Sequence, residues 1–235
     1  MAMDWLQPLF SYCERGIDTS TWAEPLNLVT TGLWLLVGIW LWVLVRTQGF
    51  AYQRPSIQYV LVLLIVLSSV ADFGVHIQAN QADKVLVLLS WLIFSGLYFY
   101  LMCTRFLRLK HRSALIITLA VGVVGSLVAI VPCILGYCLP ASALGLFPLV
   151  VLVVITHLLH QRNHPATRWL AGASVLLALG LVANVLDTPL CQATMTSAGY
   201  VLGWHYIWHM VSAIGVFILT QAMIQFYRYA AVGEY

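Results

Sequence analysis

The chain is predicted to be an all-α membrane protein: a seven-transmembrane helix bundle with a short polar N-terminal segment. Three observations predict this. Of 235 residues, 62% are hydrophobic and only 8% charged, whereas a soluble domain carries about 25% charged residues. Mean hydropathy is +0.92. Seven stretches approach the roughly 20 mostly apolar residues that a helix needs to cross the bilayer core.

In chain order these stretches are 27–45, 57–79, 85–103, 114–132, 142–160, 169–187 and 200–224. Polar breaks from Arg46 to Ser56, Arg105 to Ser113 and Gln161 to Arg168 separate some of them. Cys133 to Pro140 and Thr188 to Gly199 are uncharged breaks rich in Gly, Pro, Ser or Thr. Asn80 to Lys84 is the tightest turn. Residues 1–26 are too polar to span and hold no apolar run ahead of a cleavage site, so no removable signal peptide is expected. The expected organisation is an extracytoplasmic segment 1–26, a transmembrane domain 27–224 and a cytoplasmic tail 225–235. Gly32, Gly38, Gly122 and Gly125 are expected to permit close helix contact, with Gly122 and Ser126 forming a small-xxx-small pair.

Seven crossings place the termini on opposite sides. The C-terminal side then holds Arg46, Arg54, Arg105, Arg108, Lys110, Arg112, Arg162, Arg168 and Arg228, against Arg15 and Lys84 on the other. This bias predicts a cytoplasmic C-terminus and an extracytoplasmic N-terminus. The net charge of +3 is too small, and too divided by side, for a nucleic-acid partner. The acids sort oppositely. Asp4, Glu14, Asp18, Glu24 and Asp83 fall on the N-terminal side, and Asp72 and Asp187 lie near helix ends that open to it.

His205 and His209 are four apart, which on a helix puts both imidazoles on one face. His76 lies in another apolar segment near the same end of the bundle. Ionisable groups kept at one end of a membrane bundle mark a site. Three histidines are a ligand set for catalytic zinc, with water in the fourth position. A carboxylate there has two possible tasks: orienting a histidine through its second ring nitrogen, or taking a proton from the bound water. Asp72, one turn before His76, and Asp83, at the start of the next helix, are the candidates. The competing reading makes His205 a hydrogen-bonding residue, His209 a packed neighbour of Trp208 and His76 an interfacial residue. His111, His157, His160 and His164 read as interfacial or loop residues.

Cys13, Cys133, Cys138 and Cys191 fall on the expected exterior, where disulfides form, and permit three pairings. Cys133 with Cys138 is a local option, Cys13 with Cys191 a distant one, and free thiols are the alternative to both.

Tyr12-Cys13-Glu14-Arg15, followed by Trp22-Ala23-Glu24-Pro25-Leu26-Asn27, resembles the N-terminal signature of bacterial ceramidase-domain proteins, relatives of the alkaline ceramidases. Asp187-Thr188-Pro189-Leu190-Cys191 and Gly203-Trp204-His205-Tyr206-Ile207-Trp208-His209 resemble the same family's C-terminal signature. The resemblance spans nearly the whole chain. The wider superfamily includes the adiponectin and progestin receptors and the hemolysin III proteins. The resemblance implies a zinc amidase of the bacterial inner membrane, splitting the amide of ceramide or a related N-acyl lipid taken from the bilayer. It implies zinc on His76, His205 and His209, a catalytic aspartate at Asp83, and a disulfide between Cys13 and Cys191. It also implies an N-terminal calcium site, for which Glu14 and Glu24 match two positions; the alternative is that these glutamates bind Arg15 or cap the first helix. Where the family carries a serine four residues before the first zinc histidine, this chain has Asp72. An ionised carboxylate there would repel a developing oxyanion, a protonated one would donate to it, and a third role is support of a zinc histidine. The other functional expectation is a non-enzymatic lipid-binding receptor or membrane-stress protein of the same superfamily with structural zinc. Oligomeric state is not legible.

Overall fold

The computed structural model describes residues 12–18, 20–48, 56–136, 145–194 and 201–226. Seven α-helices follow one another: α1 (Pro25–Gln48), α2 (Ser56–Gln78), α3 (Gln81–Leu101), α4 (His111–Ile134), α5 (Leu146–Gln161), α6 (Thr167–Leu186) and α7 (His205–Phe226). A π-helical turn, Met102–Phe106, extends α3. Many of the residues are Val and Ile, which rank low as helix formers in water. In hydrocarbon the backbone has no solvent to bond, so a helix that satisfies its own N–H and C=O groups is favoured over any open chain.

Six of these helices are long and apolar enough to cross a membrane, the marks of an integral membrane protein. α5 is shorter, 16 residues from Leu146, against the expected start at 142. The helices pack in chain order: α1 on α2, α2 on α3, α3 on α4, α5 on α6 and α6 on α7. α7 closes the arrangement against α1 and is the most buried of the six. Tyr98 on α3 reaches across to donate to the Leu219 carbonyl of α7 at 2.7 Å. Leu41, Leu61, Ile65, Leu101, Leu170 and Met223 are fully buried between the helices. Leu36, Leu63, Leu92, Ile116, Leu119 and Val175 point outward, as lipid-facing residues do.

Besides α5, two helix starts differ from expectation by four residues or more, and both bear on the site. α3 begins at Gln81, not 85, because Ala79 takes a left-handed φ of +50° and the Asn80 side chain caps the helix by accepting from Asp83 N. α7 begins at His205, not 200. Gly203 turns the chain at φ +69°, and Asp187 accepts from the backbone N–H of Trp204 at 2.6 Å and of His205 at 3.0 Å. His205 is therefore the first residue of its helix, not an interior one.

The glycine expectation holds at two of four positions. A Cβ on Gly38 would meet Val66 at 2.6 Å, and one on Gly125 would meet the Phe147 ring at 2.7 Å. A Cβ on Gly32 or Gly122 would meet nothing within 4 Å among the described residues, so neither makes such a contact.

Candidate metal site

The last two turns of α2, the last turn of α6 and the first turns of α1 and α7 meet at one end of the bundle. Together they bury His76, His205 and His209, whose ligating nitrogens lie within 4.8 Å of one another. The spacing of four brings the two α7 rings to 4.6 Å between centroids.

Each ring has its Nδ1 tied to oxygen. His76 Nδ1 donates to Glu24 Oε2 at 2.6 Å. His205 Nδ1 donates to Asn184 Oδ1 at 3.0 Å. His209 Nδ1 lies 2.9 Å from Thr31 Oγ1. The Thr31 hydroxyl is committed to Asp72 Oδ2 at 3.2 Å, so it accepts the His209 proton. A carboxylate and an amide oxygen only accept. All three Nδ1 atoms are then protonated, so in the neutral rings all three Nε2 atoms carry lone pairs.

Those lone pairs face one another. His76 Nε2 and His209 Nε2 stand 3.1 Å apart. Two neutral acceptors at that distance repel unless a proton or a metal ion lies between them. Tetrahedral zinc at about 2.05 Å from two nitrogens holds them about 3.3 Å apart. Oxygen partners that fix the Nδ1–H tautomer are the usual support of a metal-bound imidazole. The residues present therefore fit a metal that prefers nitrogen, zinc among them.

Asp72 sits at the rim. Its Oδ2 is 3.3 Å from His209 Nδ1 and its Oδ1 is 3.8 Å from His76 Nε2. His76 and His209 are sealed, whereas the Asp72 side chain keeps 19% of its surface exposed, so it is the carboxylate that reaches open space beside the rings. Asp83 stands elsewhere. Its backbone N–H bonds the Asn80 cap, and its Oδ2 accepts from Asn80 Nδ2 at 2.9 Å. Its carboxyl packs onto α2 at Gly74, where a Cβ would meet Asp83 Cγ at 2.6 Å. Gly74→Ala is expected to push the α2–α3 turn outward and cost about 1–3 kcal/mol. A thermal melt in detergent checks this, and an unchanged Tm would show that the turn gives way freely.

The polar N-terminal segment covers the site. Cys13 is disulfide-bonded to Cys191. Cys13 N–H also donates to Asp187 Oδ2 at 3.0 Å, so one carboxylate holds both the segment and the start of α7. The Tyr12 ring lies against His205, centroids 4.0 Å apart, and against His76 at 5.1 Å. Burial, reinforced by the Asp72, Glu24 and Asp187 carboxylates, holds its phenol far above the ordinary value, so it stays protonated. Cys138 and the Cys133 side chain lie outside the described residues, and the local pairing with them.

Glu14 and Glu24 have protein partners. Glu14 accepts from the backbone N–H of Leu26 at 2.7 Å and of Asn27 at 3.0 Å, capping α1. Burial raises its carboxyl above the ordinary value against the pull of those two donors. Glu24 takes Arg15 Nε on Oε1, and His76 Nδ1 and Asn27 Nδ2 on Oε2. Burial works to raise its carboxyl, but the His76, Asn27 and Arg15 contacts outweigh it and hold the group below the ordinary value. Capping the helix and binding Arg15 is thus what this pair does.

Sequence reading missed three supports: Thr31, Asn184, and Glu24 as the partner of a histidine. Asn184 had a signal, being the one amide in the apolar run of α6. Thr31 had none, since threonine is common in membrane helices.

Fold and site together define a class: an all-helical integral membrane protein with a three-histidine cluster at one end of its bundle. Comparison with protein-family models gives no match, and comparison with curated proteins gives none either.

Proposed function

We propose that the protein is a seven-span zinc amidase of the bacterial inner membrane that hydrolyses the amide of ceramide or a related N-acyl lipid. One observation carries the metal part: three imidazoles with every Nδ1 spent on oxygen and their Nε2 lone pairs left facing inward. Zinc bound there would polarise the amide carbonyl and acidify the attacking water toward neutral pH. Asp72 is the proton carrier the geometry favours, because among the described residues its carboxylate is the one that combines exposure with closeness to two of the rings. It holds the proton of the water and returns it to the leaving amine. Asp83, the residue that the family resemblance favours, takes the supporting role of fixing the α2–α3 turn. The outward apolar faces of the helices let a lipid approach from the bilayer. The sequence excess of Lys and Arg on the C-terminal side favours an extracytoplasmic site.

The test pairs metal analysis with release of fatty acid from ceramides and N-acyl amino lipids. About one zinc per chain and measurable release are expected. Asp72→Asn is expected to keep the zinc and to lower turnover about 10²–10⁴-fold, the span of general acid–base catalysis. A protein with no zinc sinks the proposal.

The receptor-like reading draws on one observation, that Asp72 already leans on Thr31 and His209 as a structural partner would. Zinc retained without turnover on a broad amide panel, together with weaker zinc in Asp72→Asn, would favour it.

A further inference from the structure

Arg15 lies in the turn after Cys13, yet its side chain is buried, as is that of Glu24. Its guanidinium is ringed by four oxygens. Nε donates to Glu24 Oε1. Nη1 donates to the carbonyls of Asp18 and Ser20, both at 3.3 Å. Nη2 donates to the carbonyl of His76 at 2.6 Å. These oxygens come from three places: the N-terminal turn, the residue that precedes α1, and the last turn of α2. The His76 carbonyl is among the last of its helix, where no further turn supplies a donor.

One carboxylate and several carbonyls gathered around one cationic group are the kinds of donor that calcium takes. Here that cationic group belongs to the chain. A calcium ion needs six to eight oxygens, and the Glu14 carboxylate that would add to the ring is turned away to cap α1. With the guanidinium filling the ring and Glu14 turned away, the expected calcium site does not fit these residues; only an emptied ring, completed by waters, has room for the ion.

We infer that Arg15 is a built-in cation standing where a calcium ion would otherwise tie the N-terminal turn to the metal site. It grips His76 twice, at the backbone carbonyl directly and at the ring Nδ1 through Glu24. Guanidinium presents its donors in a fixed fork, so it sets the direction of the Glu24 carboxylate, which in turn sets the His76 ring. Arg15 is thus a positioning residue. This last step rests on the reading of His76 as a zinc ligand; the replacement of calcium does not.

The experiment uses the full chain in detergent, as wild type, Arg15→Ala and Arg15→Lys. Metal analysis of the wild type should find no calcium, and added calcium should leave its Tm unchanged. Arg15→Ala should melt lower and regain part of the loss with calcium but not with magnesium, since the emptied ring is too wide for the smaller ion. Its zinc affinity should fall about 10–100-fold, the usual effect of losing support behind a metal-bound histidine. The visible bands of its cobalt-substituted form should shift, which simple loosening of the turn would not produce. Arg15→Lys, which keeps a charge, should lie between the two on every measure.

Calcium in the wild type overturns the inference, as does an Arg15→Ala protein that calcium does not stabilise. Unchanged zinc affinity and cobalt bands in both variants overturn the positioning role. If Arg15→Ala does not fold, the wild-type analysis and Arg15→Lys decide. A wild type without zinc defeats the amidase proposal, while the calcium response of Arg15→Ala still judges the cation replacement.

Discussion

His209→Ala is expected to abolish the proposed zinc binding and, with it, the proposed amidase activity. The variant removes one of three nitrogens, and it removes the one nearest another ligand, since His209 Nε2 stands 3.1 Å from His76 Nε2. It also strips Thr31 and Asp72 of the ring they face. Two histidines with no third ligand make a weak site, so the metal content should drop from about one per chain to near zero at ordinary buffer concentrations. Turnover should fall with it, below detection in a fatty-acid release assay. The fold should persist, because Ser212 and Trp208 hold the same helix independently: the Ser212 hydroxyl donates to the Trp208 carbonyl, and the Trp208 ring packs on Gly180 of α6. Circular dichroism checks that point. A His209→Ala protein that keeps stoichiometric zinc would remove the cluster from consideration as the metal site.

The second large effect is expected from Cys13→Ser. The disulfide closes a sequence separation of 178 residues. Loop-closure entropy for so long a loop is worth about 5 kcal/mol in the chain-entropy model, at the top of an observed range of about 0–5. More than entropy is involved. Cys13 anchors the segment that lays Tyr12 over His205 and His76 and delivers Arg15 to Glu24. Losing the link should lower the Tm substantially and expose the histidines to solvent. Zinc should then exchange with a chelator faster than in the wild type. Melting and timed chelation, run on oxidised and reduced wild type beside Cys13→Ser, check both parts. Identical melts for all three would show that Asp187, which holds the same segment through Cys13 N–H, suffices alone.

The class of protein was legible from composition because hydropathy is local. A helix of Leu, Val and Ile in lipid needs no partner to be recognised. Helix ends were less legible. His205 was expected inside α7 and proved to start it, because the boundary is set by Asp187, 18 residues away in sequence. Asp72 and Asp83 were equal candidates on spacing, both near His76. Packing separates them: Asp72 shares the histidine face, and Asp83 is drawn onto Gly74 and Asn80. Glu24 illustrates the limit best. Its place before a proline-led helix marks it as a cap or an ion ligand, and nothing in its neighbourhood announces a bond to a ring 52 residues on.

Legible from single segments are the membrane-helix character, the expected sorting of charge between the two ends, and the α7 pair His205 and His209. These follow from properties of single segments: apolar length, charge count and a spacing of four. Only the tertiary structure decided that His76 meets that pair across 133 residues, that Thr31 supports His209 across 178, and that Arg15 sits in an oxygen ring beside them. The reason is physical. A ring is poised to bind a metal when its other nitrogen is held in one tautomer and direction, and the groups that hold it come from wherever the helices bring them together.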